Sequence, residues 1–244
     1  MKKTLIALLA AGALSGCVEN LNTSSISAAQ GAYAAASFSD ADARTMADQA
    51  ATESDSQNKL SPTNSAYSKR LARIVKGVNS EDGLPLNFRV YETDEINAFA
   101  MANGTVRVYS GLMDKMSDDE IRFVIGHEIG HVALGHSRKA MQVALATNAA
   151  RNAAASTGGK VAVLSGSELA DFTEGVINAQ FSQKQESDAD EYAVSFTKRH
   201  GWNPKAGLSV MKKLQALEGN SSGASLLSSH PASKDREQHI KSLL

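Results

Sequence analysis

The sequence predicts an α+β fold, mainly α, with a small antiparallel sheet beside one helix that carries His127-Glu128-Ile129-Gly130-His131. Three observations predict it. Ser117-Asp118-Asp119-Glu120 has the form of a capping box, and Ile121, Val124, Ile125, Ile129 and Val132 follow at helical spacing. Asn87-Phe88-Arg89-Val90-Tyr91 alternates with period two, and stretches 96–101 and 105–109 flank an Asn103-Gly104 pair that favours a tight hairpin. Beyond His131 the chain reads as a series of helices separated by Gly and Pro breaks.

Met1-Lys2-Lys3 precedes a short apolar run that ends at Leu14-Ser15-Gly16-Cys17. A basic start, too few apolar residues to span a bilayer and a close of small residues make a secretory leader. The last four residues resemble a bacterial lipobox, which implies cleavage after residue 16 and lipidation of Cys17, the single cysteine. Removing residues 1–16, with Lys2 and Lys3 and no acid, leaves 228 residues and moves the formal net charge from −1 to −3. That balance gives no basic surface for nucleic acid, and without a second thiol no disulfide supports the fold. No later segment is long and apolar enough to cross a membrane, so attachment would rest on lipid.

Residues 17–39, rich in Ser, Ala, Asn and Gln, read as a lipidated tether, and 40–244 as one folded domain. Residues 40–59 suggest a helix with a thin apolar face. Asn64 is the expected cap of the next helix, whose stripe is Tyr67, Leu71, Ile74, Val75 and Val78, closed by Glu81-Asp82-Gly83. After the strands comes the metal-motif helix, ended by Gly135. Residues 137–156 and 167–180 read as helices, Ser182 as the cap of a helix from Gln183 to about Arg199, and Trp202-Asn203-Pro204 as the start of another. Gly219 to Gly223 reads as a linker, and the chain closes with a short helix after His230-Pro231.

On a helix, His127 and His131 stand one turn apart on one face, so both imidazoles can reach one Zn²⁺. Glu128, one residue round, can approach a water there as general base without being a ligand. The other reading is a core helix with two hydrogen-bonded histidines. A hydrolytic zinc site needs a third protein ligand. The metzincin pattern would place His six residues after His131, where Ser137 stands. His136, one residue short, falls off that face and reads as a surface residue. Glu186 and Asp190, four apart on a second helix, supply the alternative: Glu186 as ligand and Asp190 as acceptor of a ligand histidine's second N–H. Read alone, the stretch Glu186-Ser187-Asp188-Ala189-Asp190-Glu191 would be a solvated acidic face.

Four stretches in order resemble the gluzincin zinc metallopeptidases of the HtpX and BepA type, and among them the LoiP-type outer-membrane lipoprotein proteases. They are Asn97-Ala98-Phe99-Ala100, the His127–His131 motif, Glu186-x-x-Ala189-Asp190, and His230-Pro231 followed by Arg236. The resemblance covers residue 60 onward. Gln183 departs from it, because many members carry Arg there, which questions a supporting ion pair. The resemblance implies a helical fold around a small sheet, one Zn²⁺ per chain and polypeptide substrates. It makes Asn97, Ala98, Phe99 and Ala100 an edge strand that pairs with substrate backbone. It gives His230 a place near the metal, either stabilising the oxyanion or holding the metal latent, and gives Arg236 a local carboxylate partner. It further implies hydrolysis of misfolded or stalled envelope proteins, with a link to envelope assembly machinery. A chaperone or assembly factor that holds extended chains is the alternative. Val18 after Cys17, in place of Asp, points to the outer membrane facing the periplasm.

Overall fold

The computed structural model describes residues 37–151, 164, 166–218 and 225–244. The leader, Cys17 and the linker Gly219 to Gly223 lie outside the described residues. The elements in order are α1 (Asp40–Gln57), α2 (Ala66–Ile74), β1 (Ser80–Glu81), β2 (Leu84–Pro85), β3 (Asn87–Tyr91), β4 (Ala98–Ala100) and β5 (Thr105–Tyr109). Then follow α3 (Ser110–Lys115), α4 (Asp118–Ala133), α5 (His136–Arg151), α6 (Gly166–Ile177), α7 (Gln183–Arg199), α8 (Ala206–Glu218), α9 (Ser225–Ser229) and α10 (Lys234–Ser242).

The mainly helical α+β architecture is as expected, and the three-stranded sheet is mixed. Its order is β3-β5-β4: β4 and β5 form the antiparallel hairpin, whereas β3 runs parallel to β5. The chain must cross from the end of β3 back to β4, so β3 cannot extend the hairpin as a simple meander. A separate small hairpin, β1–β2, stands where Glu81-Asp82-Gly83 was expected to close a helix. Asp82 and Gly83 both have positive φ, 48° and 77°, as a two-residue hairpin turn requires. The helix before it stops at Ile74, and its cap is Ser65, one residue after Asn64.

Strand alternation splits the core across the sheet. Val90, Ala98, Val106 and Val108 face a layer containing Leu71 and Ile74 of α2 and the apolar residues of α4, α7 and α8. Tyr91, Phe99, Met101 and Tyr109 face α1, with Met141 of α5 and Phe172 of α6. On that second face Arg107 is buried against Asp55 of α1, through two bonds of 2.8 and 2.9 Å. Tyr91 donates to the same carboxylate at 2.7 Å. Phe38, just before α1, is also buried there, so packing begins two residues before Asp40.

The capping box at Ser117 and the cap at Ser182 are formed as expected, and the second is also a full capping box. Ser117 and Glu120 close the start of α4, and Ser182 and Gln185 that of α7. These two helices pack closely because α4 presents Gly126 and Gly130 to α7. A Cβ on Gly126 would lie 2.6 Å from Phe196 Cδ1, and one on Gly130 would lie 3.0 Å from Tyr192 Cβ. The helices run antiparallel, which brings His127 opposite Asp190 and His131 opposite Glu186.

Candidate active site

α4 carries His127, Glu128 and His131 on its buried face, and all three are at most 5% exposed. α7 brings Glu186 and Asp190 to them, and the turn between α9 and α10 adds His230. One ligand atom from each of His127, His131, Glu186 and His230 lies within 4.8 Å of the others. His131 Nε2 stands 3.1 Å from His127 Nε2 and 3.4 Å from Glu186 Oε1, and His127 Nε2 stands 3.6 Å from Glu186 Oε2. Tetrahedral ligands with metal–nitrogen bonds of about 2.0–2.1 Å stand about 3.3–3.4 Å apart. Three converging imidazole nitrogens and a carboxylate are a donor set that suits zinc. The residues therefore fit one zinc ion.

His230 Nδ1 belongs to the same cluster, 3.3 Å from His127 Nε2 and 2.9 Å from Glu186 Oε1. Its Nε2 stands 3.7 Å from Glu128 Oε1. That oxygen is buried and accepts no hydrogen bond from the described residues. Burial pushes the Glu128 carboxyl above the usual range, against the opposing pull of His230 and His127. Burial also drives His131 well below the ordinary histidine value. For Glu186, burial opposes the charged form, but hydrogen bonds from His131 and His230 outweigh it and hold the carboxyl far below the usual range.

Asp190 accepts from His127 Nδ1 at 3.0 Å, which leaves Nε2 of that ring aimed into the cluster. Behind Asp190, Arg236 of α10 makes two bonds of 2.8 Å to its carboxylate. Burial disfavours the charged Asp190, yet Arg236 and His127 together hold its carboxyl low. Arg236 also lies 2.7 Å from Glu186 Oε2. Its partners are thus carboxylates of another helix, where a local one was expected.

One further residue differs from expectation. His136 is buried, with Nδ1 3.1 Å from His131 Nδ1, where a surface residue was expected. Gly135 explains this: its φ of +74° ends α4 and folds the chain back, so residue 136 does not continue the helical path. Phe181, just before α7, stacks on His131 with ring centres 3.9 Å apart.

β4 is an edge of the mixed sheet and packs against α4. Met101 donates to Thr105 and Tyr109 to Asn97, so odd-numbered residues of this stretch bond to β5. Strand alternation then turns the backbone groups of Ile96, Ala98 and Ala100 to the open edge, while those of Phe99 face β5. The edge is partly used already: Asn97 Oδ1 accepts from the Ala98 N–H at 2.9 Å, and Leu226 of α9 donates to the Ile96 carbonyl at 3.2 Å.

A family model described as Peptidase family M48 matches residues 65–244. The chain is 46% identical over 242 residues to Metalloprotease LoiP of Escherichia coli (strain K12), covering 99% of this chain and 96% of that one. It is 45% identical over 244 residues to Metalloprotease YcaL of the same organism, covering 98% and 96%. It is 32% identical over 176 residues to the Beta-barrel assembly-enhancing protease of Escherichia coli (strain K12), covering 67% of this chain and 35% of that protein. With two histidines on one helix, a glutamate brought from a second and a matching family model over most of its length, the chain belongs to Peptidase family M48 and is a zinc metalloendopeptidase.

Proposed function

We propose that the protein is a lipid-anchored envelope endopeptidase that cleaves extended segments of misfolded or stalled envelope proteins. One observation carries the reading: Glu128, whose Oε1 accepts no hydrogen bond from the described residues, stands beside a His-His-Glu cluster on a helix packed against an open strand edge. His127, His131 and Glu186 are the zinc ligands. Zinc supplies Lewis-acid polarisation there and lowers the pKa of a water from 15.7 to about 7.

The chain's own groups do the rest. The Ala98 carbonyl and the Ala100 N–H and C=O face the open edge for an extended substrate, and Asn97, whose side chain takes the Ala98 N–H, shapes the start of that edge. The water oxygen bonds to the scissile carbonyl carbon as its proton passes to Glu128. Glu128 then gives that proton to the leaving nitrogen as the C–N bond breaks. The raised pKa of its buried carboxyl suits both halves of this exchange. Asp190 holds His127 in the correct tautomer, and Arg236 holds Asp190. His230 Nδ1 sits among the ligand atoms, which favours a latent state with His230 in the position that substrate must take. Swung away, its ring serves the oxyanion.

Lipidation of Cys17 after removal of residues 1–16 would tie the domain to a membrane through the tether 17–39. Val18 favours the outer membrane, facing the periplasm. No helix among the described residues is long and apolar enough to cross a membrane. One relative's name, Beta-barrel assembly-enhancing protease, supports a link to envelope assembly machinery.

The test is zinc content and casein cleavage of the chain with Cys17 replaced by Ser. Wild type should hold one zinc and cleave. Glu128→Gln should hold zinc and lose cleavage by orders of magnitude, and Glu186→Ala should lose zinc. Active Glu128→Gln refutes the general base. Equal rescue of envelope defects in cells by Glu128→Gln and wild type would favour the holding reading. Labelled palmitate incorporated by wild type and not by Cys17→Ala tests the anchor.

A further inference from the structure

The two histidines of the metal helix are held in unlike ways. His127 Nδ1 leans on the carboxylate of Asp190, which Arg236 neutralises. His131 turns Nε2 into the cluster and Nδ1 the other way, where its partner is another imidazole, His136 Nδ1 at 3.1 Å. Phe181 stacks on the face of His131, so that ring is held by a stack on one side and by His136 at its edge.

We propose that His136 is a positioning residue for zinc: its neutral imidazole accepts the His131 Nδ1–H and thereby fixes the tautomer and rotation of the ligand ring. The proton count requires these roles. A histidine that presents Nε2 to a metal must carry its proton on Nδ1. Two Nδ1 atoms 3.1 Å apart share one proton, so His136 presents a lone pair and keeps its own proton on Nε2. Its location agrees, since His136 is only 9% exposed. The backbone makes the contact possible. A continuing helix would rotate residue 136 well off the face of His131, and the left-handed Gly135 instead starts α5 so that its first side chain returns to the site. The inference rests on zinc being held by His131, and its test separates that premise from the role of His136.

The experiment measures the zinc dissociation constant of the full chain by chelator competition, with melting of the chelated protein alongside. His136→Phe keeps the aromatic volume and removes the acceptor. His136→Asn places an amide oxygen where Nδ1 stood and restores it. Loss of a partner that orients a metal-ligating histidine costs 10–100-fold in metal affinity. The expected result is zinc binding about 10–100-fold weaker in His136→Phe, recovery to within a few-fold of wild type in His136→Asn, and similar melting of the two chelated variants. A purely packing role predicts the reverse order, with His136→Phe the closer to wild type. Zinc binding by His136→Phe equal to wild type overturns the proposal. So does equal weakness of both variants with intact melting. His131→Ala is the control for the premise: if it binds zinc as tightly as wild type, the ligand assignment fails, whatever His136 does.

Discussion

Arg236→Met should be among the most damaging single changes outside the zinc ligands, and the structure sets its size. Asp190 is fully buried and Arg236 is 5% exposed. The guanidinium makes two 2.8 Å bonds to Asp190 and one of 2.9 Å to the Pro231 carbonyl, and forms an ion pair with Glu186 at 2.7 Å. Hydrogen bonds to charged groups contribute about 1.5–3 kcal/mol each, so the Asp190 fork alone is worth about 3–6 kcal/mol. Removing one partner of a buried ion pair independently gives about 3–5 kcal/mol, because the other charge stays buried and uncompensated. The two routes meet near 4 kcal/mol. At about 2–4 °C per kcal/mol for a domain of this size, the chelated protein should melt about 8–16 °C lower.

Urea unfolding of the chelated protein is the direct assay, since zinc would add binding energy to the folded state. Arg236→Lys should recover part of the loss, because an ammonium keeps the charge and cannot make the fork. Adding Asp190→Asn to Arg236→Met should cost less than the sum of the two single changes, since the stranded charge is then gone. A loss below about 1 kcal/mol, the range of an exposed surface pair, would refute this account of the pair.

Two further expectations follow from packing and titration. Gly126→Ala should destabilise by about 1–3 kcal/mol despite the better helix propensity of Ala, because its Cβ would press into the Phe196 ring; a higher urea midpoint would contradict the close α4–α7 contact. Burial and the Asp55 carboxylate push the Tyr91 hydroxyl up to about 12 from the usual 10, against the opposing pull of Ser54 and Arg107. The raised value means the stabilisation is complete below pH 10 and is lost as pH climbs towards 12, about 2–3 kcal/mol in all. Tyr91→Phe should lose correspondingly less stability over that interval, and a parallel decline in both proteins would show that another group titrates there.

The local chemistry of the site was legible because short-range geometry dictates it. Spacing of four puts His127 and His131 on one turn of α4, and Glu186 and Asp190 on one turn of α7, whatever the surroundings. Ser117 and Ser182 cap those helices through bonds that reach only three residues. The Asn103-Gly104 hairpin and the helical character of the chain follow from the same kind of local rule. Where local rules compete, the sequence leaves two outcomes open. Asp82-Gly83 is as good a hairpin turn as a helix terminator, and Ser65 as good a cap as Asn64.

Tertiary structure alone decided which groups from distant elements meet. Arg236 finds Asp190 across 46 positions, and no periodicity encodes that distance. β3 joins β5 in parallel, since strand direction depends on the path of the crossover and not on the strand's composition. His136 reaches His131 only because one left-handed glycine turns the chain back, and Phe181 covers the same ring because α7 lies against Gly126 and Gly130. The sequence by itself determined the ligand types and the helices that carry them, since both follow from contacts within one turn. The fold decided which partners orient those ligands, because that depends on how closely α4 and α7 approach where Gly126 and Gly130 meet Phe196 and Tyr192.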